Sequence, residues 1–94
     1  MTQRRFDEDM IHELYEAFVE IASTEDCGKL LEDLCTRKEV EQMAQRFRAA
    51  RLLMEGKTYT QVIEQTNISS ATLSRVSRCV QYGDGYRKFV KAEE

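Results

Sequence analysis

Apolar side chains return at three- and four-residue steps along most of this chain, and no segment sustains apolar–polar alternation. That period is helical. Phe6, Met10, Ile11, Leu14, Tyr15, Phe18, Val19, Ile21 and Ala22 predict a helix over about 7–22 with a broad apolar stripe. Ser23 to Gly28 is expected to break it, and Leu30, Leu31 and Leu34 predict a short second helix. "TRKE" at 36–39 has the form of a capping box, in which Thr36 and Glu39 satisfy each other's backbone N–H. Val40, Met43, Ala44, Phe47, Ala50, Leu53 and Met54 then predict one long helix over about 37–55, expected to form the core. Gly56 suits a left-handed cap at its end.

The next stretch, "YTQVIEQTNISSATLSRVSRCV", is rich in Ser and Thr yet holds no Gly or Pro. Thr58 and Gln61 form a second candidate capping box ahead of a short helix over about 59–66, with Val62 and Ile63 facing inward. Asn67 tolerates positive φ. Ile68 plugs the turn, and Ser69 caps a helix over about 69–81. Leu73, Val76, Ser77 and Val80 fall on its inner side, leaving Ser70, Thr72, Ser74, Arg75 and Arg78 mostly outside. Two short helices around a tight turn, over about 58–81, make a helix-turn-helix. Small hydroxylated residues keep a recognition helix thin enough for the major groove and bond to phosphates and base edges. The candidate DNA-facing residues are Gln61, Ser69, Ser70, Ala71, Thr72, Ser74, Arg75 and Arg78. Lys57, Arg87, Lys88 and Lys91 flank the motif and extend its electrostatic footprint. Gly83-Asp84-Gly85 reads as a turn, and Tyr86, Phe89 and Val90 as a short closing helix.

Composition narrows the class. Ninety-four residues, 41% hydrophobic and 33% charged, fit a single soluble domain over 1–94. No apolar run approaches a membrane span, and the N-terminus has no apolar signal region, so a cytoplasmic location and no membrane partner are expected. The net charge of −3 hides an asymmetry. Residues 1–36 carry three Lys/Arg against ten Asp/Glu, whereas residues 37–94 carry eleven against seven. The basic excess thus lies with the helix-turn-helix. Cys27, Cys35 and Cys79 form no Cys-x-x-Cys pair, and His12 is the sole histidine, so no metal site is expected. The cysteines read as reduced, mostly packed thiols; a redox-sensing thiol is the alternative.

"LLEDLCTRKEVEQMAQRFRAARLLMEGKTYTQVIEQTNISSATLSRVSRCV" resembles the body of the bacterial Trp repressor family, and "YTQVIEQTNISSATLSRV" with "YGDGY" is similar to its YerC/YecD-type members. The resemblance covers roughly residues 30–90, and the acidic first helix and short last helix fit the same layout. It implies an all-α, six-helix subunit and a homodimer whose N-terminal helices interlock. It also implies a ligand pocket, since two arginines of that family sandwich an indole ring. Arg46 and Arg75 stand at the matching places, and Thr36 matches a residue near the ligand's amino group. Val76 stands where the family has glycine, and Cys79 where it has a serine that holds the amine. The turn between the two short helices is also one residue shorter. Val76 adds bulk where the indole needs room, and a thiol is a poorer partner for an ammonium than a hydroxyl. No tryptophan corepressor is therefore expected; a different small ligand stays open.

These readings converge on a homodimeric, sequence-specific DNA-binding transcriptional regulator that represses by occupying a palindromic operator. Half-sites about one DNA turn apart would receive its two recognition helices. The alternative is a protein-interaction module that keeps the fold without binding DNA, with the acidic half as its contact surface. One His, no paired nucleophile and base, and no glycine-rich phosphate loop argue against an enzyme.

Overall fold

The computed structural model describes residues 3–91, of which residues 3–6 by their backbone alone. Six helices and no strand are present among the described residues: α1 (Gln3–Val19), α2 (Thr24–Leu34), α3 (Arg37–Met54), α4 (Tyr59–Thr66), α5 (Ser70–Tyr82) and α6 (Gly85–Phe89). The chain divides into two compact units, Met1–Thr36 and Arg37–Glu94. The division coincides with the charge asymmetry: the acidic residues concentrate in the first unit and the basic excess in the second.

The first unit holds α1 and α2. α1 begins earlier than the pattern suggested, at Gln3, and ends at Val19 rather than near 22. Glu20 and Ile21 donate back to Ala17 and Phe18 at 3.2 Å each, a last tightened turn. The expected break over residues 23–28 is also shorter. Ser23 is an N-cap whose side chain accepts from the Asp26 N–H at 3.0 Å, and the helix runs on from Thr24. Glu25 and Asp26 place negative charge on that first turn, which the helix dipole favours. None of the stripe on α1 is buried within the chain: Tyr15 is 61% exposed, Val19 84% and Phe18 37%. Phe6, assigned to the same stripe, has a side chain outside the described residues.

The second unit owns the core. Ala49, Ala50 and Leu52 of α3, Val62 of α4, Ile68 of the turn, Leu73 and Val76 of α5, and Val90 after α6 form one buried cluster. α3 packs against α4, α5 and α6. The two alanines are fully buried, and such small residues at a contact let helices approach closely. This corrects the core assigned to α3. Ala49 and Leu52 face inward beside Ala50, whereas Met43, Ala44 and Phe47 remain exposed. α3 is thus apolar on two sides, and only one meets the rest of its unit.

α3 terminates as expected. Gly56 adopts φ +89°, its N–H donates to the Leu53 carbonyl, and the Lys57 N–H reaches the Leu52 carbonyl, both at 3.0 Å. That pair of bonds is a Schellman cap, which needs a left-handed residue at this point. An L side chain pays for that backbone, so Gly56→Ala should lower stability by about 1–2 kcal/mol. Urea unfolding of the two proteins measures it; equal midpoints would contradict the cap assignment.

Candidate nucleic-acid interface

Local chemistry builds the motif residue by residue. Thr58 Oγ1 accepts from the Gln61 N–H at 3.2 Å, while Gln61 Oε1 accepts from the Thr58 N–H at 2.9 Å. This is the reciprocal capping box expected for α4, and it leaves the Gln61 amide nitrogen free of the box, as a donor. α4 stops at Asn67, which sits in the left-handed region at φ 60° and ψ 21° and donates to the Ile63 carbonyl at 2.8 Å. Thr66 Oγ1 donates to the Val62 carbonyl at 2.7 Å and accepts from the Ile68 N–H at 3.3 Å. Ile68, 2% exposed, drives its side chain into the core and pins the turn from inside.

Ser69 then starts α5. Its Oγ accepts from the Thr72 N–H at 3.2 Å and donates to Thr72 Oγ1 at 2.9 Å. The two hydroxyls are engaged with each other, and Thr72 is half-buried. Leu73 and Val76 anchor the inner face, and the period of the helix forces the residues between them outward. Ser70, Ala71, Ser74, Arg75 and Arg78 are all exposed. Hydroxyl and methyl groups therefore stand at the start of this face, and guanidinium groups follow one and two turns on. No acidic residue lies anywhere on α5. The candidate DNA-facing residues thus separate into an outward group and a pair, Ser69 and Thr72, whose first task is to cap the helix.

The flanking basic residues divide too. The Arg87 guanidinium does not stand free. Its Nε donates to the Val80 carbonyl at 2.8 Å and its Nη2 to the Gln81 carbonyl, so it caps the C-terminal end of α5. Lys88 Nζ lies 5.8 Å from the Phe89 ring centroid, within cation–π range. Lys57 and Lys91 are exposed.

The residues assigned to a ligand pocket differ in burial. Val76 is 1% exposed and belongs to the core cluster. It shares the inner face of α5 with Leu73, and its branched side chain fills space there. Arg46 is half-buried and Arg75 exposed. Cys79 is exposed rather than packed, and it lines a cavity of about 450 Å³ with Phe47, Gly83, Gly85 and Tyr86. Thr36 belongs to the first unit and is exposed there. Among the described residues no group of three or more His, Cys, Asp or Glu is placed to hold a metal ion. Among the described residues no helix is long and apolar enough to cross a membrane.

Besides the Arg87 cap, another contact escaped the sequence. Gln45 Nε2 donates to the Thr66 carbonyl at 3.0 Å, across 21 residues of chain. The available signal was its register: Gln45 stands one turn before the buried Ala49 and two before Leu52, a polar residue on the core side of α3.

Two short helices joined by residues 67–69 and backed by a long one define a helix-turn-helix protein. The chain belongs to the Trp repressor protein family, whose match spans residues 9–94. It is 39% identical over 74 residues to the uncharacterized protein YerC of Bacillus subtilis, which covers 79% of this chain and 71% of that protein. A Trp repressor-like protein from Eubacterium eligens superposes with a TM-score of 0.84 at 32% identity, covering 92% of this chain and 94% of that one. A proposed Trp repressor from Staphylococcus aureus superposes with a TM-score of 0.82 at 28% identity over 99% of each chain. The family is regulatory and not a family of enzymes.

Because Ser69 carries both bonds that open α5, Ser69→Ala should cost about 1 kcal/mol of stability. Thermal unfolding measures this. An unchanged melting temperature would show that Ser69 is not the cap.

Proposed function

We propose that this protein is a sequence-specific, DNA-binding transcriptional regulator, a repressor that acts as a homodimer by occupying a palindromic operator. The observation that carries the reading is the outer face of α5: Ser70, Ala71, Ser74, Arg75 and Arg78 all exposed, on a helix without an acidic residue. Hydroxyls and small side chains read base edges at close approach. Arginines neutralise phosphates and release counterions, which makes affinity salt-dependent. The +4 balance of residues 37–94 supports the same surface. The family match spans both compact units and supports treating 1–94 as one Trp repressor-like domain.

Two exposed apolar faces support the dimer. Met10, Ile11, Leu14, Tyr15, Phe18 and Val19 line α1 without cover, and Met43 and Phe47 do the same on α3. A chain this short gains much of its buried surface by association. A contiguous apolar face of this kind marks an interaction site.

Arg75→Ala and Arg78→Ala should each weaken DNA binding without unfolding the protein. Loss of a phosphate contact lowers affinity for all sequences and reduces the salt slope by about one. Loss of a base contact costs about 1–3 kcal/mol and relaxes preference at one position. Added tryptophan should leave wild-type affinity unchanged. Equal affinity of wild type and the double variant for the preferred operator would exclude this face, and a wild type without salt-dependent DNA affinity would favour the interaction-module alternative.

Phe18→Glu places a charge within the proposed dimer interface, where burial without a partner is strongly unfavourable. Sedimentation should show the variant dissociated at concentrations where wild type is dimeric. A wild-type chain that stays a folded monomer at micromolar concentration contradicts the dimer.

A further inference from the structure

We propose that Gln45 is a positioning residue for DNA recognition: its hydrogen bond to the Thr66 carbonyl locks the turn that launches α5 onto α3. The inference rests on the reading of α5 as the DNA-contacting helix. Gln45 Nε2 lies 3.0 Å from the Thr66 oxygen and the contact is partly buried. Thr66 is the last residue of α4, and carbonyls in the final turn of a helix find no N–H donor within it. Gln45 supplies that donor from a different element.

The bond stands at the head of a short mechanical chain. Thr66 Oγ1 holds the Ile68 N–H at 3.3 Å and is itself tied to the Val62 carbonyl at 2.7 Å. Ile68 is plugged into the core, and the next residue, Ser69, caps α5. Three residues separate Thr66, whose carbonyl Gln45 grips, from Ser70, the first residue of the exposed outer face.

The apolar contacts of this region do a different part of the job. Burial of Leu73, Val76 and Ile68 among Ala49, Ala50 and Leu52 supplies attraction, but the hydrophobic effect has no direction. A hydrogen bond has a narrow range of length and angle. The Gln45–Thr66 bond therefore fixes where α5 begins, while the core holds it down.

This separation has a consequence for recognition. Base-edge hydrogen bonds tolerate little displacement, whereas long arginine side chains follow a phosphate through small shifts. Loosening the turn should erode discrimination between sequences more than overall attraction to DNA. A residue with a merely structural role would lower stability and leave the discrimination of the folded fraction alone.

The test uses the full chain and two variants of similar length. Gln45→Met removes the donor, and Gln45→Glu keeps the shape but offers only acceptors at neutral pH. Amide exchange in the free protein reads the lock. Exchange at Asn67 and Ile68 should rise about fivefold or more in both variants, as loss of one hydrogen bond implies, with Ala49, Ala50 and Leu52 unchanged. DNA binding reads the consequence. The ratio of affinities for preferred and mixed-sequence duplexes should fall about tenfold, with the salt slope on mixed DNA retained. Wild-type exchange at Asn67 and Ile68 in both variants overturns the inference whether or not the protein binds DNA. Faster exchange with an unchanged affinity ratio overturns it as well, reducing Gln45 to a structural tie. A wild-type protein with no salt-dependent affinity for any duplex instead overturns the reading of α5 on which the inference rests.

Discussion

The packing of α5 on α3 is the constraint from which the rest follows. Leu73 and Val76 are buried in one cluster with the fully buried Ala49 and Ala50. Once that inner face is committed, helical periodicity leaves Ser70, Ala71, Ser74, Arg75 and Arg78 no place but solvent. The proposed DNA-binding face is thus a by-product of the core. Replacing Leu73 with alanine would cost about 2–5 kcal/mol in stability, and it would blur the register of every exposed residue on α5 at the same time. The Ser69 cap and the Arg87 contacts close the two ends of the same helix, so α5 is held along its side and at both termini.

Much of the second unit was legible in sequence because its signals are local. The Thr58–Gln61 box, the left-handed Asn67, the Ile68 plug, the Ser69 cap and Gly56 each act within a few residues. The chemistry of those residue types therefore fixed α4 and both its ends. Boundaries in the first unit were less accurate. Ser23 looked like part of a break, and it is the N-cap of α2. A Ser between two helices carries the same local signal whether it ends one or begins the next. The core side of α3 was misjudged for another reason. That helix has apolar residues on two sides, and periodicity alone does not say which side its own unit uses. Gln45 and Arg87 were missed because their acceptors lie across the fold or past a turn.

The ligand question turns on the same helix register. Val76 lies on the inner face of α5 and is a core residue. Cys79, three residues on, leaves the core and borders the cavity with Phe47 and Tyr86. The apolar stripe of α1 and the exposed half of α3 are the other side of the account. They are the faces on which the proposed dimer rests, and the first unit that carries α1 is acidic whereas the second has a basic excess.

The most direct test of the central claim is a titration of isotope-labelled protein with a short duplex, followed by nuclear magnetic resonance. The account predicts that the largest side-chain and backbone shifts fall on Ser70, Ala71, Ser74, Arg75 and Arg78, with smaller ones at Gln61 and few on α2. Shifts confined to the first unit, or none at duplex concentrations in excess of the protein, would contradict it.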